Sequence, residues 1–403
     1  MSHDIDVTCP LARQGRRIRI WKRVENYRQP RQQEQRSLTI TSERKKRPLL
    51  EDVAEAAGVS RATAARALSG KGYVDKHKRQ MIEDVARKLG YRSSAIARTL
   101  RTQRSRSIGV LVADITNPIF PQIVKGIDEV LSAEGHTIFL CNTDENPARQ
   151  FALANSLIDR NVDGLILVSQ NLESQAFNDL LNSGPPCIYV NRRPSSGPHD
   201  YVGSDNAQAV EFLVDHLVGL GHRRIGFVAG AANSSTAHER QRHYRLALES
   251  RGIPFDESFV FHGDYTVEAG RKAFAQMVER GAALTAVMAS NDFSALGFID
   301  AAQAQGLAIP QDISVTGFDD TAGVNNFMTY PLPTKGLTTI YQSKREIGVL
   351  AGQMMLRRLD GSVSSDEPQQ AIVPTSLRIR DTTGPARPIL AKARAKAAGR
   401  ADA

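Results

Sequence analysis

From residue 107 onward the chain alternates between two kinds of stretch. One is a short run in which nearly every position is apolar: SIGVLVADI at 107–115, HTIFLCN at 136–142, DGLILVS at 163–169 and PCIYVN at 186–191. The other is a longer segment whose apolar residues recur every three or four positions. A strand with one wet face alternates polar and apolar residues. A run without that alternation is covered on both faces, as in a parallel sheet flanked by helices. The pattern therefore predicts helices at 121–134, 147–160 and 173–183 between these strands. After a polar stretch it resumes with helix 205–219, strand 223–230, helix 237–251, a strand near 259–262, helix 266–280, strand 286–292, helix 293–305 and strand 313–320. Two such sheets in series, with return segments near 321–345, predict a core of two α/β lobes over 107–381 facing each other across a cleft.

The first hundred residues follow another rule. Residues 1–47 are polar, end in ERKKR and show no apolar period, so a disordered basic extension is expected. Residues 48–92 carry three short helical patterns. In LEDVAEAAGVSRATAARALS (50–69), Val53, Ala54, Ala57 and Val59, then Ala64, Ala67 and Leu68, give two short helices an apolar side. Gly58 falls where the chain must turn sharply, and Ser60 where a side chain can cap the second helix. A third helix within 70–91 offers Val74, Met81, Ile82, Val85, Leu89 and Tyr91 to cover the first two. A helix pair of this kind can hold its second member rigidly in a DNA major groove. Residues 93–106, rich in Arg, Ser and Thr, read as a linker, and the small, basic residues 382–403 as a disordered tail.

Charge sharpens this division. The chain carries a net +9, with 26 Lys and Arg against 11 Asp and Glu in residues 1–106, but 21 against 31 in 107–381 and 5 against 1 in 382–403. A basic head on an acidic body is expected where one end meets phosphate and the rest must stay off it. Cys9, Cys141 and Cys187 lie far apart without metal or redox spacing, and no apolar run reaches the length of a membrane span or a secretory signal. A reduced, cytoplasmic chain with no membrane partner follows. Catalysis is disfavoured: there is no GxSxG, no phosphate-binding glycine loop and no cluster at metal spacing. No cofactor or metal is expected.

The head carries a more specific signal. Asp52-Val53-Ala54, Ala57-Gly58-Val59-Ser60, Thr63, Arg66, Leu68, Val74, Arg79, Ala86, Leu89-Gly90-Tyr91 and Ala95-Ile96-Ala97-Arg98-Thr99-Leu100 stand at the spacing of the lactose-repressor (LacI/GalR) family, which the chain resembles from about Leu49 to Asp381. The resemblance implies an α plus α/β chain: a three-helix helix-turn-helix domain, a hinge helix, and a two-lobed periplasmic-binding-protein-like core. It implies a transcription regulator, expected to be a repressor, that binds operator DNA as a homodimer or a dimer of dimers. Candidate DNA contacts are Ser60, Arg61, Ala62, Thr63, Arg66, Ser69 and Tyr73 in the head, with Arg98 and Leu100 on the hinge. Arg61 and Ala62 are the expected base readers, because Arg grips guanine with two bonds and Ala packs on a thymine methyl. By the resemblance, Leu100 wedges between bases from the minor groove. Two departures stand out. Ala64-Ala65 replaces the usual Val-Ser, and Ser69 the usual Asn.

In the core, Asp114-Ile115-Thr116-Asn117-Pro118-Ile119-Phe120, Asn191-Arg192, Glu239-Arg240 with Tyr244, and Tyr265 after His262-Gly263-Asp264 resemble strand-end motifs of that family and of periplasmic sugar receptors. His238 and His243 depart from the pattern. The resemblance implies an effector site of Asn117, Phe120, Arg192, Arg240, Tyr265, Asn291, Asp292 and Asp319. The chemistry suits a polyol, since planar Arg, Asp and Asn side chains take paired hydroxyls and aromatics cover C–H faces. Ser234 stands where the purine-binding branch has an additional Arg, which favours a sugar or sugar acid as the small-molecule effector.

Overall fold

The computed structural model describes residues 48–69, 72–91, 104–172, 174–195, 197–321, 336–364 and 366–387. The expected extension 1–47, most of the linker with Arg98 and Leu100, and residues 388–403 lie outside them. The chain divides into two compact units, Met1–Arg92 and Ser93–Ala403.

The head contains α1 (Leu50–Ala56), α2 (Arg61–Ser69) and α3 (Lys76–Leu89). Gly58 takes φ +63 in the turn between α1 and α2, a conformation costly to any residue with a Cβ. Ser60 accepts the Thr63 amide at 3.2 Å and so caps α2 as expected. Asp75 caps α3 through the amides of His77 and Lys78. Val53, Ala54, Ala64, Ala67, Ile82 and Ala86 form the core. Met81 and Leu89, expected inside, are exposed. With alanines on the facing helices, the three axes can approach closely, and the small Ala86 rather than Leu89 fills the space.

The core begins with the predicted alternation: β1 (Ser107–Val112), α4 (Ile119–Ala133), β2 (Thr137–Asn142), α5 (Pro147–Asp159), β3 (Gly164–Val168), α6 (Gln175–Asn182) and β4 (Cys187–Val190). β5 (Asp200–Ser204) follows, then α7 (Asn206–Gly219), β6 (Ile225–Val228), α8 (Ser235–Glu249), β7 (Val260–Phe261), α9 (Val267–Glu279), β8 (Ala286–Ala289), α10 (Asp292–Ala304) and β9 (Ser314–Thr316). The last elements are β10 (Thr339–Gln342), α11 (Lys344–Asp360), β11 (Gln370–Val373) and β12 (Thr375–Arg378).

Two sheets result, but they are not in series. The first has the order β11-β5-β4-β3-β1-β2 and the second β7-β6-β8-β9, all neighbours parallel, while β10 and β12 pair antiparallel. The chain crosses from the first lobe to the second after β5, returns after β10 to lay α11 and β11 on the first, and crosses again before β12. The crossings are stitched together. Ser204 donates to Gln342 at 2.6 Å, Asp205 to the Val373 carbonyl at 2.9 Å, and Thr375 to Gln208 at 3.2 Å.

β5, β10, α11, β11 and β12 were not among the expected elements. β5 opens on a buried acid, Asp200, bound by both Nε and Nη2 of Arg358 at 2.7 Å. α11 reads KREIGVLAGQMMLRRLD, its apolar period interrupted by two glycines that the fold needs for close packing. The tail also departs from expectation. Thr382 is fully buried: Val315 donates to its carbonyl, its hydroxyl donates back to the Val315 carbonyl, and Ala386 reaches the Leu220 carbonyl. Residues 382–387 extend the second lobe, because two threonines and an open strand edge satisfy each other's backbone groups.

Candidate functional site

Strand ends of both lobes converge on one cavity of about 360 Å³, within the range of small-molecule sites. Asp114, Asn117 and Phe120 follow β1, Glu145 follows β2, Ser169 β3, and Asn191 and Arg192 β4. From the other lobe come Ser234, Thr236 and Arg240 around the start of α8, Tyr265 after β7, Asn291 and Phe293 at the start of α10, and Asp319 after β9. Ligands of open parallel sheets gather at these strand ends because the loops there are free to vary while the strands hold them. Five lining residues, Glu145, Ser169, Asn191, Tyr265 and Asp319, have positive φ without being glycine. Such conformations cost energy and persist where surrounding structure enforces them, commonly at functional sites.

Two arginines organise the cleft. Arg240, 5% exposed, donates from Nε to Asn206 at 2.9 Å and from Nη1 to the Ser290 carbonyl, and its guanidinium lies 3.4 Å from the Phe318 ring centroid. Its Nη1 stands 3.9 Å from Asp319 Oδ1. Arg192 clasps Glu145 with two bonds of 2.9 Å. Asp319 is itself held by Gln342 Nε2, and the Lys344 ammonium donates to its backbone carbonyl. Burial pushes the Asp319 carboxyl up to about 7, against the opposing pull of Arg240 and Lys344. The Tyr265 hydroxyl lies 3.1 Å from Ser234 Oγ, and its ring rests on Gly230, where a Cβ would overlap it. Asn117 accepts the Ile119 amide at 3.1 Å.

Seven of the eight candidate effector residues line this cavity: Asn117, Phe120, Arg192, Arg240, Tyr265, Asn291 and Asp319. Asp292 does not. It is fully buried and accepts the Thr321 amide and hydroxyl and the Thr339 hydroxyl, so its carboxylate secures loops behind the cleft. Asn291 is a wall whose side chain is already employed, capping α10 at Ser294 and donating to the Tyr265 carbonyl. The sequence reading missed Glu145, Ser204, Asn206, Phe293 and Gln342. Glu145 was findable, since it follows β2 as Asn117 follows β1. Gln342 sits on a strand that no pattern announced.

In the head, Arg61, Ala62 and Arg66 are exposed on α2, and Tyr73 is 91% exposed. Ser60 Oγ lies 2.8 Å from the Thr63 hydroxyl, Arg66 Nε donates to the Ala62 carbonyl at 3.3 Å, and Ser69 donates to the Arg66 carbonyl at 3.3 Å. Arg61 Nη1 meets Glu51 at 2.9 Å.

A helix-turn-helix head joined to a hinged, two-lobed α/β core with a polar cleft defines a class: a DNA-binding regulator with a small-molecule site. Residues 49–94 match the bacterial regulatory proteins of the lacI family, and residues 214–383 the periplasmic binding protein-like domain. Catabolite control protein A of Priestia megaterium is 30% identical over 310 residues, covering 77% of this chain and 92% of that protein. The HTH-type transcriptional repressor CytR of Escherichia coli (strain K12) is 32% identical over 312 residues, 77% of this chain and 90% of that one. The chain belongs to the lacI family of bacterial regulatory proteins. Among solved structures, the lac repressor dimer bound to operator and the anti-inducer ONPF superposes with a TM-score of 0.73 at 27% identity, covering 84% of this chain and all of that one. The complex of the transcriptional regulator CelR with cellobiose does so with 0.62 at 27% identity, covering 83% and 100%. No described helix is long and apolar enough to cross a membrane.

Proposed function

We propose that this regulator is a cytoplasmic repressor that reads its operator as a homodimer and that a neutral, sugar-sized polyol bound between its lobes sets operator affinity. Ser60, Arg61, Ala62, Thr63, Arg66, Ser69 and Tyr73 serve as the head's DNA contacts, and Arg98 and Leu100 as the hinge's, with Leu100 entering the minor groove. Exposed Phe139 and Leu140 on the edge strand β2 offer apolar surface to a second copy. The protein acts by binding, without chemistry at the cleft. The domain limits follow the same reading: head 48–92, hinge 93–106, and a core that begins at 107.

The Arg240–Asp319 pair carries the effector reading. A hydroxyl both donates and accepts, and a guanidinium beside a carboxylate offers it both partners at once. The same pairing argues against an acid. Both cleft arginines already face carboxylates, Arg192 with Glu145 and Arg240 with Asp319, while Asp114 and Asp264 add further negative charge to the lining. Phe120 and Tyr265 supply faces for C–H surfaces, and a cellobiose complex among similar structures accords with the size.

The test is a thermal-shift screen of neutral sugars, polyols, sugar acids and nucleobases, with operator binding followed for each hit. A neutral sugar is expected to raise Tm and change operator affinity, and Arg240→Lys to weaken its binding by about 10- to 100-fold, the worth of roughly one to two charge-assisted bonds. A purine response without any sugar response would overturn the assignment.

A further inference from the structure

We infer that Glu51, on the first helix of the head, sets the base preference of Arg61 by holding one corner of its guanidinium. The inference rests on the reading of Arg61 as a base contact. An exposed arginine at the start of a recognition helix faces two competing acceptors, the guanine edge and the phosphates. Phosphates are more numerous, attract from a distance and carry no sequence information. Left free, such an arginine spends much of its binding on them.

The Glu51 carboxylate bonds Nη1 of Arg61 at 2.9 Å. That leaves Nε and Nη2, the parallel pair along the side of the fork, which matches O6 and N7 of guanine. The carboxylate also repels phosphate, so the backbone-bound alternative loses favour whatever the sequence. Glu51 thus lowers affinity for all DNA and raises the ratio between right and wrong sequences. Glu51 also sits in the first turn of α1, where negative charge suits the helix dipole, but it makes no capping bond there. The helix-capping duty at α1 falls to its neighbour Asp52, which accepts the Leu49 amide at 2.6 Å. Among the described residues Arg61 is its partner, and both side chains are well exposed, 64% and 70%. An exposed pair of this kind adds little to stability. Its place between the first helix and the reading end of the second gives it a role in recognition.

The experiment uses the full chain and selection from a randomised duplex pool, with salt titrations on mixed-sequence duplex DNA. The wild-type protein is expected to enrich half-sites with a fixed guanine, lost in Arg61→Ala. Glu51→Ala should bind mixed-sequence DNA more tightly, and its preference for that guanine should fall by about tenfold, within the range of one bidentate base contact. Its salt dependence should steepen by about one phosphate contact. Glu51→Gln keeps an acceptor without the charge, so it should recover part of the preference and none of the phosphate repulsion. Equal gains on every sequence in Glu51→Ala and Glu51→Gln, with guanine preference intact, would overturn the proposal. So would a wild-type selection without a fixed guanine. An Arg61→Ala protein with unchanged selection would instead dismiss Arg61 as the reader and this inference with it.

Discussion

Two aspartates 27 positions apart in sequence, Asp292 and Asp319, show how little residue type says about role. Both are buried, and burial raises the pKa of each. Asp292 is surrounded by donors from Thr321 and Thr339 and is sealed behind the cleft. Asp319 opens on the cavity, with Arg240, Gln342, Lys344 and Asp292 around it. Its folded-state value, about 7, lies above its ordinary 3.8. The folded protein then binds more protons than the unfolded chain between those values, and stability falls as pH rises through that window. Asp319→Asn should remove this slope. Urea unfolding at pH 5 and pH 8 should show the wild type losing ground to the variant as pH rises. A difference independent of pH would mean that Arg240 and Lys344 keep Asp319 ionised throughout.

At the scale of elements, the first lobe depends on contact between the backbones of α4 and α11. A Cβ on Gly348 would stand 2.0 Å from the Ile123 carbonyl oxygen, and one on Gly126 would stand 2.1 Å from that of Arg345. These are backbone atoms of packed helices and have nowhere to rotate. Ala favours helix over Gly by about 0.5–1 kcal/mol, whereas overpacking a tight interior costs about 1–3 kcal/mol. Overlap wins, so Gly348→Ala should lower stability by about 1–2 kcal/mol, seen as a lower urea midpoint with unchanged slope. The same glycines explain why α11 escaped sequence reading. A helix that lies against another at backbone distance carries glycine where a periodic pattern would show a large apolar residue. The strands β1, β3 and β4 were legible because they are covered on both faces and their residues are apolar almost throughout.

At the scale of the molecule, the lobes are interleaved in sequence. No single cut separates them: one after β5 takes α11 and β11 from the first lobe, and one before β12 takes that strand and the tail from the second. The C-terminal segment belongs to this closure. Buried Thr382 ties β9 to the tail, and His222 reaches the Gly384 carbonyl at 3.0 Å. Ending the chain after Arg380 should lower Tm by several degrees, since it strands buried acceptors and donors worth about 1–3 kcal/mol each. The three stitched crossings also place Ser204 and Gln342 at once in the cavity wall and where the chain passes between the lobes. A ligand that prefers one lobe arrangement can therefore bias it directly, as differential affinity requires.

The sequence by itself determined the classes of element, the helix-turn-helix head, and the basic and acidic division of charge. Each of these is written locally, in runs, caps, turns and spacing. Only the tertiary structure decided which strand joins which sheet, that residues 344–373 complete the first lobe, and that 382–387 complete the second. It alone separated Asp319 in the cleft from Asp292 behind it, and brought Glu145 to Arg192, Gln342 to Asp319 and Glu51 to Arg61. The reason is physical. Local pattern records how much of a segment is buried, whereas the identity of what it is buried against depends on contacts between residues far apart along the chain.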